Sequence, residues 1–292
     1  MAVLPSAFEA LRERAGELLF ERVAGPEGPR NRDAIHNTPG PRWFPTDSPV
    51  RRVHADSAMF IGGLSALLLQ SLHPAAMAAV SAHSGFRGDP WGRLQRTSTF
   101  LATTTYGTVS SARSACERVQ GVHARIQGVT DEGVPYRASD PHLLEWVHVA
   151  ETESFLRAHQ TFGVRPLTDH ECSRYVAEMA RIAEALGVVS PPRSAQALDA
   201  RLEEYRAELR CTPQARETTR YLLLRPPIPV LALPFYAVLA SNAVALLPRW
   251  AASELSLPRW GPGERWLLMP TGRGATGLIR WAMREPARGK RS

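Results

Sequence analysis

The sequence predicts an all-α protein built as a single helical domain, and three observations carry that expectation. Apolar residues recur at steps of three and four along most of the chain. Helix-start signals recur too: Asp89-Pro90 and Asp140-Pro141 each set a capping acid before a proline whose fixed φ suits a first helical turn. No run alternates apolar and polar residues long enough to read as a strand. With 292 residues, 44% of them hydrophobic, the chain has material for one large core.

The elements follow in order. Residues 6–23 read as an amphipathic helix, with Phe8, Leu11, Leu18 and Leu19 among its apolar positions. Residues 24–50 are too rich in proline and glycine for regular structure and are expected to be an arm or a lid. The chain thus divides into an N-terminal helix and arm, 1–50, and a helical domain, 51–292. From Ala58, AMFIGGLSALLLQSLHPAAMAAVSAHSG reads as a buried helix, kinked at Pro74 and ended by Gly85. A helix opening at Asp89-Pro90 comes next, then one over TVSSARSACERVQGVHARIQG. GVTDEGVPYRASD is a turn-rich connection. Asp140-Pro141 opens PHLLEWVHVAETESFLRAHQTFG, and residues 168–187 and 193–223 add two more helices. Residues 221–247 are the most apolar stretch. Pro226, Pro227, Pro229 and Pro234 break its first half and leave a helix too short to cross a bilayer. A buried C-terminal helix is expected there, with peripheral contact at a membrane surface as its functional alternative.

Charge and cysteine usage exclude several classes. The net charge is +7, and Lys290 is the only lysine. A lysine Schiff base or a P-loop lysine is therefore ruled out unless Lys290 supplies it. The arginines are interleaved with acids except in the tail REPARGKRS, so no nucleic-acid partner is expected. Cys116, Cys172 and Cys211 are far apart and form no CxxC, which argues against a disulfide framework and a cysteine zinc site. The first twenty residues lack the basic start and apolar block of a secretion signal, and a cytoplasmic location is expected.

Two motifs look like chemistry and carry little. GRGATG, from Gly272 to Gly277, matches GxGxxG, but only fifteen residues follow it, so no βαβ unit can be completed. It is expected to be a loop before a last helix. Glu145 and His148 form one ExxH pair, with Glu151 a turn further on. A helical di-iron site needs a second ExxH, and the chain has none.

His123 is more informative. Val109, Ala112, Cys116, Val119, His123 and Ile126 alternate steps of three and four, which places them on one helical face. A neutral imidazole buried in such a stripe needs partners for its ring nitrogens. A backbone carbonyl is the common answer, and a metal ion is the other.

Three runs, LLLQSLHPAAMAAVSAHSGFRGDPWGRLQRT, YGTVSSARSACERVQGVHARIQG and YRASDPHLLEWVHVAETESF, appear in sequence between about Arg51 and Phe155. In order and spacing they resemble the oxygenase family of the latex clearing protein (rubber oxygenase) and the MpaB oxygenase of mycophenolic acid biosynthesis. PPIPVLALPFYAVLASNAVALLPRWA is similar to that family's C-terminal part. The resemblance implies a globin-like helical core around a b-type haem, with dioxygen and an apolar small molecule as reactants. It places the proximal iron ligand on His123. It places the pocket arginine and threonine, spaced by four, on Arg93 and Thr97, with Arg96 the competing cation for a haem propionate or for reduced oxygen. The rubber-cleaving members use a glutamate base before the arginine, but residues 59–86 hold no acid here. His83 and His73 are the titratable groups in that stretch that can stand in for it. The same resemblance leaves open a haem sensor or carrier without catalysis. A helical lipid-binding or di-iron protein is the reading outside it.

Overall fold

The computed structural model describes residues 7–83, 88–258 and 260–284. Gly85 and the tail from Glu285, Lys290 included, lie outside them. The described chain is all-α, with fourteen helices and one two-stranded hairpin.

The N-terminal fifty residues are more regular than their composition suggests. α1 (Ala7–Ala24) is followed by α2 (Gly28–Asn37), in the stretch expected to be irregular. The reason is positional: Pro29 falls in the first turn of α2, where a missing N–H costs nothing. Both helices pack on α6 (Pro90–Tyr106). The segment after α2 is fastened by Arg42, whose guanidinium donates to the carbonyls of Ile35, Thr38 and Tyr106, each at 2.7 Å. Val109 N–H adds a 2.8 Å bond to the Pro41 carbonyl.

α3 (Pro49–Ala55) leads into the apolar run, which forms two helices where one kinked helix was expected. α4 (Met59–Gln70) and α5 (Pro74–His83) meet at 108° across Ser71–His73. Pro74 starts the second helix; it does not bend the first. α4 lies along α8 (Pro141–Phe162), and Gly62 permits the close approach: a Cβ there would stand 3.0 Å from Ala158 Cβ and 3.2 Å from Phe155. No single described helix is long and apolar enough to cross a membrane. The α4–α5 pair passes that test only by length and composition, and α4 buries half its residues against the core.

α6 and α7 (Val109–His123) start on the side-chain caps expected of them, Asp89 onto Gly92 N–H at 2.8 Å and Thr108 onto Ser111 N–H at 3.1 Å. The turn-rich connection after α7 closes on itself as a short antiparallel hairpin, β1 (Gln127–Val129) with β2 (Pro135–Arg137), which packs against α5. α9 (Asp169–Leu186) begins in a full capping box of Thr168 and Glu171 and ends at Gly187, φ +107°. The single helix expected over 193–223 is two, α10 (Ala195–Tyr205) and α11 (Pro213–Leu224), parted by a 3₁₀ turn at Arg206–Glu208 and the start signal Thr212-Pro213.

α12 (Leu233–Leu246) is the expected apolar helix; its second half is buried and its first half largely open. α13 (Arg249–Glu254) and α14 (Pro262–Ala282) complete the chain. GRGATG lies inside α14, not in a loop before it. Gly272 is there to let α14 approach: a Cβ would meet Asn242 Oδ1 of α12 and Phe162 of α8, both at 2.6 Å. The main core gathers Trp146, Phe155, Tyr175, Leu68, Leu69 and Val53 from α3, α4, α8 and α9.

Candidate functional site

α6 and α7 are joined by only Gly107 and Thr108 and pack on each other. Arg93 lies fourteen residues before Gly107 and His123 fifteen after Thr108. The stripe on α7 grades outward: Ala112 and Cys116 are buried, Val119 and His123 half-buried. Ile126 follows the helix end and does not sit on it, since α7 stops at His123.

His123 meets the description of an imidazole awaiting a partner. Its Nδ1 is buried and without a hydrogen bond among the described residues. Burial lowers its pKa, so the ring is neutral at pH 7 and keeps a lone pair to give. Buried ring nitrogens without partners also occur at His54, His73, His148 and His159. Of these only His54 is similarly half-exposed, and its Nδ1 is engaged with Thr105 Oγ1 at 2.8 Å.

Arg93 and Thr97 share a face of α6 by their spacing. Arg93 is half-buried, and burial followed by repulsion from Arg96 lowers its pKa. Thr97 is exposed. Arg96 is exposed and reaches Asp89, the cap of its own helix, at 3.2 Å. His83 is the last residue of α5 and is exposed. His73 is buried in the α4–α5 bend, away from solvent.

Apolar surface lies near the start of α6. Trp91 Nε1 donates to the Pro227 carbonyl at 3.0 Å, which holds the 225–232 segment beside the first turn, two residues from Arg93. Leu224, Val230 and Leu231 in and around that segment are strongly exposed, Leu231 almost completely. Met77 and Val80 of α5 pack with Ala215 and Tyr221 of α11. Val122, next to His123, is also exposed. A groove of about 460 Å³ runs along α11 past Arg216, Arg220, Leu223 and Leu224 to Leu255–Leu257.

The ExxH pair is occupied otherwise. Glu145 is buried, ion-paired to Arg201 and bonded by the Tyr205 hydroxyl at 3.1 Å. His148 turns to Thr152 Oγ1 at 3.3 Å, and burial lowers its pKa to about 4. Among the described residues, the one trio of side chains whose ligand atoms lie within metal-binding reach is His73, His142 and Glu208. Sequence reasoning missed His142 and Glu208, since 66 residues separate them and no spacing links them. A second polar group packs against the core. His54, driven to a pKa of about 3 by burial, stacks edge-on against Tyr175 at 6.2 Å. Burial lifts Glu151, whose charge acts on Tyr175, to about 7.

The comparisons with known proteins give one match. The family described as ER-bound oxygenase mpaB/B′/rubber oxygenase, catalytic domain, covers residues 51–281. No curated protein and no solved structure gives a significant match.

Proposed function

The chain belongs to the MpaB/rubber oxygenase catalytic-domain family, and from that membership we propose that it is a haem-b-dependent oxygenase for an apolar small molecule, with oxidative cleavage of a carbon–carbon double bond as its reaction. One observation carries the reading beyond the family: His123, a neutral half-buried imidazole with an orphaned ring nitrogen, on a helix packed against the one that carries Arg93.

That donor set suits a b-type haem. A haem, when bound, supplies an iron centre at which dioxygen is activated. His123 would hold the iron on one side through its neutral ring. Arg93, half-buried and cationic, would orient the group by pairing with a propionate, where a guanidinium matches a carboxylate in a bidentate fork. Thr97 offers a hydroxyl on the same face of α6 and would donate a hydrogen bond into the site. Arg96, engaged with Asp89 and exposed, supports the chain's surface better than its chemistry. Leu224, Val230 and Leu231 offer an exposed apolar surface on which a hydrocarbon would dock. His83 would serve as proton acceptor in place of the missing carboxylate; its exposed position at the end of α5 leaves it accessible.

The test is the visible spectrum of the purified protein, as isolated and after dithionite and carbon monoxide. A Soret band that shifts with carbon monoxide is expected, lost or strongly altered in His123→Ala. A His123→Ala protein with the full haem content and an unchanged spectrum overturns the ligand assignment. Alkene-dependent consumption of dioxygen separates an oxygenase from a haem carrier, which would bind carbon monoxide and consume nothing.

A further inference from the structure

We propose that His73, His142 and Glu208 form a second, separate site that binds a divalent transition-metal ion of the zinc class. The three residues come from three places in the fold: the α4–α5 bend, the first turn of α8 and the 3₁₀ turn after α10. One ligand atom from each lies within 4.8 Å of the other two. Glu208 Oε2 stands 2.8 Å from His142 Nε2 and 3.6 Å from His73 Nε2. A tetrahedral ion with bonds of about 2.0–2.1 Å sets its ligand atoms roughly 3.3 Å apart. Side-chain movement of well under 2 Å closes that difference, and the half-exposed Glu208 is placed to make it.

Two independent observations point to a ligand. The first is His73. Its side chain is 9% exposed, it is aimed at Glu208, and neither ring nitrogen has a hydrogen bond. A buried imidazole left in that state is destabilising, and an ion on Nε2 would give that nitrogen a partner. The second is the convergence on one carboxylate. His142 Nε2 faces both Glu208 oxygens, Oε1 at 3.0 Å and Oε2 at 2.8 Å, and the same Oε2 lies 3.6 Å from His73 Nε2. The Tyr205 hydroxyl lies 3.2 Å from His142 Nδ1, so that nitrogen has its own partner and Nε2 is the one turned to the site. The Tyr205 ring, stacked on His142 at 4.7 Å, fixes the orientation, as outer partners of metal-bound histidines do.

The scaffold is already tied. Arg210 N–H donates to the Leu72 carbonyl at 2.9 Å, next to His73, and the Trp146 ring covers His73 at 6.2 Å. The donor set of two imidazoles and one carboxylate suits zinc and its first-row neighbours. Its half-exposed edge leaves room for water on the remaining positions. The site is independent of the haem reading, since none of its residues is on α6 or α7.

The experiment is titration of untagged full-length protein, stripped with EDTA, with Co²⁺ and then Zn²⁺. One equivalent of Co²⁺ with visible d–d bands is expected, displaced by Zn²⁺, together with a rise in Tm on adding Zn²⁺. His142→Gln with Glu208→Gln, both at half-exposed side chains, should weaken binding at least tenfold while the metal-free Tm stays near that of the parent. His123→Ala should bind as the parent does, which separates this site from haem iron. Bands and affinity unchanged in the double variant overturn the proposal, as does the absence of one-equivalent binding; a hydrogen bond between His142 Nε2 and Glu208 then accounts for the contact.

Discussion

At the scale of single residues, the core carries titratable groups whose burial makes stability depend on pH in opposite directions. His54 and His148 have folded pKa values of about 3 and 4, against 6.5 in the unfolded chain. As pH falls below 6.5 the unfolded chain takes up protons that these rings refuse, and stability is lost. Glu151 runs the other way: its folded pKa of about 7 lies above the ordinary 4.5, so stability falls as pH rises from 4.5 to 7. Each proton is worth about 1.4 kcal/mol per pH unit, and two histidines outweigh one glutamate below 6.5. Stability should therefore peak near pH 6.5. Glu151→Gln is expected to raise stability on the order of 3 kcal/mol at pH 8 and leave it nearly unchanged at pH 4.5; urea titrations at the two pH values check this, and a loss at pH 8 would show that the carboxylate has a partner. Little of this was legible in the sequence. The spacing of Glu145, His148 and Glu151 on one helix was visible, but the arginine and tyrosine that occupy Glu145 come from α10, at distances in the chain that no pattern spans.

At the scale of elements, the helix starts were legible because they are local. Asp89, Thr108, Asp140 and Thr168 cap their helices with side chains two or three residues from the N–H groups they accept from. Breaks were less legible. A proline reads the same whether it bends a helix or starts one, so α2, the 108° turn before Pro74 and the gap before Pro213 all differ from expectation. Glycine is equally ambiguous. Within GRGATG, Gly272 is a contact point while Gly274 and Gly277 face open space. Gly272→Ala should destabilise by about 1–3 kcal/mol through overlap with Asn242 and Phe162. Gly274→Ala and Gly277→Ala should each stabilise by about 0.5–1 kcal/mol, the helix-propensity gain. Thermal melts of the three variants settle the sign; a dinucleotide-binding loop would instead show no such split.

For the whole molecule, the ends of the domain are held by one charged knot. Asp56, just after α3, accepts from Arg280 of α14 at 2.7 Å, from Ala58 N–H at 2.7 Å and from Val164 N–H at 3.3 Å. Burial raises the Asp56 pKa, but these bonds and the Arg280 charge outweigh it, and the net shift is downward. Arg280 also donates to the Phe162 carbonyl, so α3, α8 and α14 meet at one point. Asp56→Asn leaves a largely buried guanidinium without its charge partner and should cost about 2–3 kcal/mol. A lower denaturant midpoint with an unchanged slope is the expected result. A change in slope would mean that α14 has come loose and the unfolding is no longer one transition.

By itself the sequence determined the all-α class, the helix caps and the family, because each is written in short-range spacing or in an ordered set of local motifs. It also singled out His123, since a helical stripe is visible at a three–four step. What only the tertiary structure decided is which polar groups meet. His73, His142 and Glu208 come together from three elements, and Arg201 and Tyr205 reach Glu145 from α10. Contacts of that kind depend on how helices pack, and packing is fixed by shape and burial across the whole chain, not by the spacing of neighbours.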